Sequence, residues 1–338
     1  VPPGFVITTY AYNYFLEKNG LWEHILNILH ETNIEDYNVL NKNSAKIRQL
    51  IEDAAFPREL EEAILEAYDI LDVNKKKFSG ASSGALDILR TSHEPPFVAV
   101  RNSVISELPD ISSFAGLQES FLNVKGNDNL LKNVKKTLSS LFTPRAMLYR
   151  AKRGYLNEKF YTAVIVQRMV DSDKSGVIFS KNPIKDDNDV VIESIFGLGE
   201  GIVSGNINPD YYVIKPYIEL NLVEQKIANK KIALVRNSAG KTEIIKLNDE
   251  ISKREVLTGY ELKMLSQYAK RLEEHFGKPQ NIEFAISGEN IFLVQSRPIT
   301  SSIKDDDTEI GGNILFSGRP ASLGITSSVI KVISEIKD

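Results

Sequence analysis

The stretch Asn281-Ile282-Glu283-Phe284-Ala285-Ile286, followed after a short break by Ile291-Phe292-Leu293-Val294-Gln295-Ser296-Arg297-Pro298, reads as two strands joined by a tight turn. A carboxylate sits on the first strand, an amide and a guanidinium on the second. Alternate residues of a strand share a face, so Gln295 and Arg297 point the same way. Whether Glu283 joins them depends on the turn. A two-residue loop at Gly288-Glu289 sets Glu283 opposite Val294. A three-residue loop, Gly288 to Asn290, sets it opposite Gln295. Three-residue hairpin loops with a glycine are common, and that register gathers Glu, Gln and Arg into one patch. Such a patch suits a hard cation and polyphosphate, with oxygen ligands for magnesium and a planar fork for phosphate. On these residues alone, a half-buried hairpin with a polar outer face is the alternative.

Outward from this stretch, composition sets the bounds. The chain has 338 residues, 42% hydrophobic and 25% charged, with a formal net charge of −4. This is an ordinary globular balance, enough for two domains or one large one. Nothing in the bulk charge points to a nucleic-acid partner. No run of apolar residues is long enough for a membrane span. The absence of cysteine excludes disulfides, thiolate metal sites and cysteine catalysis, and agrees with a cytoplasmic protein. The four histidines, His24, His30, His93 and His275, show no metal-ligand spacing. The opening Val1-Pro2-Pro3-Gly4 is not a signal peptide and lacks Met, which suggests a chain taken from a longer parent.

In chain order, Phe5 to Thr9 is a short strand-like run. Tyr10 to Glu17 and Leu21 to His30 have helical spacing, with Gly20 as the break. Ser44 is placed to cap a helix carrying Ile47, Leu50, Ile51 and Ala54. Pro57 suits the first turn of the next helix, whose stripe is Leu60, Ile64, Ala67, Tyr68 and Leu71. Residues 10 to 90 therefore form a helical section. Phe97-Val98-Ala99-Val100-Arg101 is a buried-type strand ending in a charge, either at a ligand-facing rim or simply leaving for solvent. A loop follows from Asn102 to Ser113. Gly116 and Ser120 could cradle phosphates, although an ordinary turn has the same residues. Leu130 to Arg153 is helical with a break at Thr143-Pro144. Strands are expected at Ala163 to Val170, Gly176 to Ser180 and Asp189 to Ile195. The polar connector Asp171 to Ser175 reads as a hairpin between the first two. Phe196-Gly197-Leu198-Gly199-Glu200-Gly201 is a poor dinucleotide fingerprint and reads as a loop packed on a sheet. Tyr211 to Val256 alternates like a small antiparallel sheet, and Glu261 to Phe276 is an amphipathic helix ending at Gly277. Thr300 to Gly312 is a polar, acidic linker.

Several of these stretches together resemble the N-terminal nucleotide-binding domain of the pyruvate phosphate dikinase and phosphoenolpyruvate synthase family, which rifampicin phosphotransferases share. They are VPPGFVITTYAY (1–12), VAVRNSVISELPDISSFAGLQESFLNV (98–124), VIVQRMV (164–170), SGVIFSKNP (175–183), FGLGEGIVSGNINPD (196–210) and NIEFAISGENIFLVQSRPIT (281–300). The tail GRPASLGITSSVIKVI (318–333) is similar to the opening of the family's swivelling phosphohistidine domain.

The resemblance implies an α/β (α+β) chain with an ATP-grasp-like, two-lobed nucleotide-binding domain. Residues 1–96 would be the helical part of the first lobe, incomplete at its start. Residues 97–300 would form the remainder, 301–312 the linker, and 313–338 the truncated start of the swivelling domain. It further implies ATP and Mg2+ as cofactors. The partners would be a swivelling phosphohistidine domain and an acceptor domain of the same parent, with pyruvate as the final acceptor. In the family, ATP passes its β-phosphate to a histidine through a pyrophosphorylated state, giving AMP and phosphate. By motif position, Arg101 and Arg297 would clamp phosphates as the catalytic pair, and Gly116 and Ser120 would line the phosphate loop. Gln167 with the Met169-Val170 backbone would meet adenine. Glu283 and Gln295 would bind magnesium, with Gln295 also at the nucleotide.

The departures from the family pattern are specific. Arg101-Asn102-Ser103-Val104-Ile105-Ser106-Glu107-Leu108 stands where Arg-Ser-Ser-Ala-Thr-Ala-Glu-Asp is usual. Leu117 replaces Gln, Ser120 replaces Thr, and Phe284 replaces Trp. A Gly-Gly-Lys segment is expected before Val1, and no histidine lies in a Thr-Ser-His context. The fragment alone is therefore expected to bind ATP without completing the dikinase reaction. Alternatives are a rifampicin-type or other small-molecule phosphotransferase, and a degenerate nucleotide-binding module.

Overall fold

The computed structural model describes residues 1–71, 94–105, 119–185, 187–216, 221–237 and 240–299. The first half runs β1 (Gly4–Ile7), α1 (Thr9–Lys18), α2 (Leu21–His30), α3 (Tyr37–Asp53), α4 (Arg58–Asp69), β2 (Val98–Ile105), β3 (Ser120–Val124), α5 (Asn127–Ser139), α6 (Pro144–Lys152) and β4 (Tyr161–Arg168). The second half runs β5 (Lys174–Phe179), β6 (Val190–Phe196), α7 (Glu200–Val203), β7 (Asp210–Lys215), β8 (Asn221–Lys226), β9 (Ile232–Arg236), β10 (Thr242–Lys246), α8 (Asp249–Ser252), α9 (Gly259–Phe276), β11 (Gln280–Ser287) and β12 (Asn290–Pro298).

Two antiparallel sheets divide the chain. The first has the order β1-β4-β2-β3, the second β12-β11-β5-β6-β7-β8. Each follows the rule of alternation, with one apolar face turned to a helical layer. In the first sheet Val98, Val100, Val164 and Val166 pack with Phe15, Ile47, Tyr68 and Val134 of the helices. In the second, Ile178, Ile192, Ile282, Phe284 and Ile286 pack with Leu262, Leu265 and Ala269 of α9. Each such side chain buried from water contributes roughly 1.5–3 kcal/mol. The intervening positions, including Ala99, Arg101, Gln167 and Glu283, are left for the opposite faces.

Helix ends are set by local chemistry. Thr8 caps α1 by accepting from the Ala11 N–H. A capping box joins Thr258 and Glu261 at the start of α9, and Gly277 closes that helix with φ 64°. Asp36, accepting from the Asn38 and Val39 N–H groups, caps α3. Ser44 does not, contrary to the sequence reading. It lies inside that helix, buried, with Oγ donating to Phe142 O at 2.6 Å.

Other expectations change. The β2 strand continues through Asn102–Ile105, so the expected loop begins later, and its remainder lies outside the described residues. β7 and β8 extend the second sheet rather than forming a small sheet with β9 and β10, which form a two-stranded sheet of their own with one isolated bridge from Leu234 to Gly197. The connector after β4 is not a hairpin. β4 and β5 belong to different sheets, so Met169 to Asp173 carries the chain from one half to the other. A short polar segment between two apolar runs is the same locally in either case; only the partner strands, remote in sequence, distinguish them. This crossing is tied at both ends. Met169 N–H donates to Phe97 O at 2.8 Å, and Asp173 N–H to Ile286 O at 2.9 Å. The Gly288 N–H reaches Asp173 Oδ2 at 2.8 Å.

The β11–β12 hairpin resolves its own ambiguity in an unexpected way. Ser287 pairs with Asn290, so the loop is the two-residue Gly288-Glu289. Phe284 then pairs with Leu293, but Glu283 pairs with Gln295. Val294 is the extra residue of a β-bulge. The expected pairing of Glu283 with Gln295 is present, produced by the bulge rather than by a longer turn.

Candidate functional site

Between the two halves lies a cleft of ≈ 800 Å³. Its first wall is the sheet face opposite the helical core. Ala99 and Arg101 alternate along β2; Gln167 of β4 stands beside Ala99, and Ser120 of β3 beside Arg101. The second wall carries Glu283 and Ala285 of β11, Val177 and Ser175 of β5, and Gln295 of β12. Met169 and Val170 of the crossing segment close one side.

Arg101 joins the walls. Its Nη1 donates to Glu283 Oε2 at 3.2 Å and to Gln295 Oε1 at 2.9 Å. Its Nε is buried without a hydrogen-bond partner among the described residues. A guanidinium with a spare buried donor, beside one carboxylate and one amide oxygen, is suited to phosphate. Among the described residues no three histidine, aspartate or glutamate side chains cluster as a metal site. Glu283 with Gln295 nevertheless fits a small hard cation, since magnesium commonly takes one or two carboxylates and completes its shell with phosphate oxygens and water.

The remaining expected residues divide by position. Arg101, Ser120, Gln167, Met169, Val170, Glu283 and Gln295 all line the cleft. The Met169 N–H is already spent on Phe97 O, so that group is not available to a ligand. Arg297 is exposed, opposite Asn281, one strand repeat beyond Gln295 and outside the cleft lining. Gly116 lies outside the described residues, as do residues 301–338.

Several lining residues were not singled out from sequence. Asn123, Lys125 and Asn129 border the first wall, and Glu200 and Thr242 enter from the second half. The β9–β10 hairpin reaches across to the first half. The Arg236 guanidinium lies 4.6 Å from the centre of the Phe97 ring, and Lys125 Nζ 4.8 Å from it. Gly240 fits against the same ring, where a Cβ would come within 2.2 Å. The Lys-rich turns of this region carried no signal that one of them spans a cleft, because its partner Phe97 is far away in sequence.

The chain matches the family model described as pyruvate phosphate dikinase, AMP/ATP-binding domain, over residues 1–313. It is 37% identical over its whole length to a probable phosphoenolpyruvate synthase of Methanocaldococcus jannaschii, spanning 28% of that protein. It is 40% identical to a probable phosphoenolpyruvate synthase of Archaeoglobus fulgidus, over all of this chain and 43% of the relative. A rifampicin phosphotransferase of Bacillus subtilis is 33% identical over 89% of the chain and 32% of its own length. The chain thus spans less than half of each of these relatives. Fold and match define an ATP-binding domain of mixed helix and sheet. The chain belongs to the pyruvate phosphate dikinase AMP/ATP-binding domain family.

Proposed function

We propose that this chain is the ATP-binding portion of a cytoplasmic phosphoenolpyruvate synthase, with an ATP-grasp-like arrangement in which ATP lies between the two sheets. The observation that carries the reading is the convergence of Arg101 from one half on Glu283 and Gln295 from the other, inside the cleft. Arg101 binds phosphate oxygens through its free donors. Gly116 and Ser120 add phosphate contacts, and Arg297, exposed just beyond the cleft lining, is assigned to the phosphates by its motif position alone. Gln167 and the carbonyl side of the Met169-Val170 backbone face adenine. Glu283 and Gln295 hold Mg2+, which when bound neutralises charge on the phosphates. The chain's own contribution to phosphoryl transfer is positioning and charge compensation.

In this reading the β-phosphate passes to a histidine of a swivelling domain that begins near residue 313. AMP and phosphate leave with consumption of one water, and the phosphohistidine then phosphorylates pyruvate. Similarity to phosphoenolpyruvate synthases over the whole chain supports pyruvate as acceptor. The rifampicin phosphotransferase relative supports a second reading, with the same ATP site and a different acceptor. The test is the complete parent protein with Mg2+ and ATP. Formation of AMP, phosphate and phosphoenolpyruvate that requires pyruvate is expected. Formation of AMP that requires rifampicin and ignores pyruvate would replace the first reading with the second.

A further inference from the structure

Among the described residues, Asn123 is the only non-glycine residue with positive φ, at 57°. It sits in β3 where the pairing with β2 is irregular. Val98 pairs with Val124 and Val100 with Phe121, so both Leu122 and Asn123 face the single Ala99. This is a bulge, a feature that commonly re-aims a side chain beside a site. A left-handed asparagine there is a strained choice kept in place by its surroundings.

Its side chain is held in one orientation. Nδ2 donates to Thr242 Oγ1 at 3.1 Å, and Thr242 Oγ1 donates in turn to Glu200 Oε2 at 3.2 Å. Because the threonine proton is committed to Glu200, Thr242 offers Asn123 only a lone pair. The amide nitrogen therefore faces Thr242, and Oδ1 is left as an acceptor. Oδ1 is buried and has no hydrogen-bond partner among the described residues. All three residues line the cleft. Ala99 pairs on its other side with Gln167, so Asn123 lies in the cross-strand row of Gln167; Arg101 is one repeat further along β2. An unpaired acceptor at this end suits a ligand that brings a proton. It does not suit phosphate, whose oxygens are acceptors.

We propose that Asn123 is a specificity-determining residue whose Oδ1 accepts a hydrogen bond from a donor at the nucleoside end of the bound nucleotide, the exocyclic amine or the ribose 2′-hydroxyl. This rests on the reading of the cleft as an ATP site. Thr242 and Glu200 are positioning residues that keep the amide from turning.

The experiment is calorimetric titration of this chain, in Mg2+, with ATP, 2′-deoxy-ATP and the triphosphate of purine riboside, which lacks the amine. Asn123→Gly keeps a residue at ease with positive φ and removes the acceptor. It should weaken ATP about tenfold, equivalent to about 1.4 kcal/mol. For the analogue that lacks the relevant donor, wild type and variant should bind alike, which identifies the donor. Thr242→Val leaves Asn123 intact and should narrow the same preference for ATP over that analogue. Equal ATP affinity in wild type and Asn123→Gly would overturn the proposal. So would an equal loss for all three nucleotides, the signature of a merely structural role. If wild type binds no ATP, the ATP-site reading itself fails and this inference fails with it.

Discussion

Gly176 shows how a residue without a side chain shapes the cleft. It lies on β5 between β6 and β11, and a Cβ there would stand 2.1 Å from Glu193 O and 2.6 Å from the Phe284 ring. Phe284 is the neighbour of Glu283, buried in the core behind the cleft. Gly176→Ala is expected to cost about 1–3 kcal/mol through overpacking, read as a lower urea midpoint with an unchanged slope. Full wild-type stability would show that the sheet gives way cheaply. At this scale much of the site was legible. Arg101 at the end of an apolar run, and Glu283 and Gln295 on the hairpin, are picked out by residue type and strand position, whereas Gln167 comes only from the resemblance. Asn123 was not legible, because its role depends on a bulge and on Thr242, a partner 119 positions away.

Among the elements, α9 joins local signals to a tertiary one. The Thr258 Oγ1 accepts from the Glu261 N–H, and Glu261 Oε2 accepts from the Thr258 N–H at 2.7 Å. The same carboxylate accepts from Lys174 Nζ of β5 at 2.8 Å. Burial alone would raise the Glu261 pKa. The hydrogen bonds and charge of Lys174 and the bonds from Thr258 outweigh it, and the carboxyl ends below its usual 4.5. A depressed folded-state pKa means stabilisation that is present above the unfolded value and lost as pH falls through the folded one. Wild type should therefore exceed Glu261→Gln in thermal midpoint at pH 7, and the gap should close as pH falls below about 4.5. A gap constant from pH 7 to 3 would contradict the ionic contribution. The spacing Thr258-Gly259-Tyr260-Glu261 carries a capping-box pattern, although the helix was expected only from Glu261 and begins at Gly259; Lys174 left no local mark. The hairpin teaches the same lesson. Counting turn residues offered two registers, and a bulge at Val294 combined the shorter loop with the pairing of the longer one, since strand irregularity leaves no mark in local composition.

Across the whole molecule, each sheet turns one apolar face outward to helices; the other faces, which carry Arg101, Gln167 and Glu283 among apolar side chains such as Ala99, Val177 and Ala285, look toward each other, and the cleft is what remains between them. Sequence periodicity implies the two apolar faces but not which strands share a sheet. For that reason the crossing at Met169 to Asp173 resembled a hairpin until its partners were seen. The described residues contain no helix long and apolar enough to cross a membrane. In the proposed reading, Glu283 and Gln295, which meet Arg101 from the opposite half, make the cleft a metal-dependent ATP site. The decisive measurement is calorimetry of wild type and Glu283→Ala with ATP, in Mg2+ and in EDTA. Wild type should bind more tightly with Mg2+, and Glu283→Ala should lose about tenfold or more of affinity in Mg2+, in line with about 1.4 kcal/mol per decade, with little change in EDTA. Equal affinity of the two proteins in Mg2+ would contradict the account.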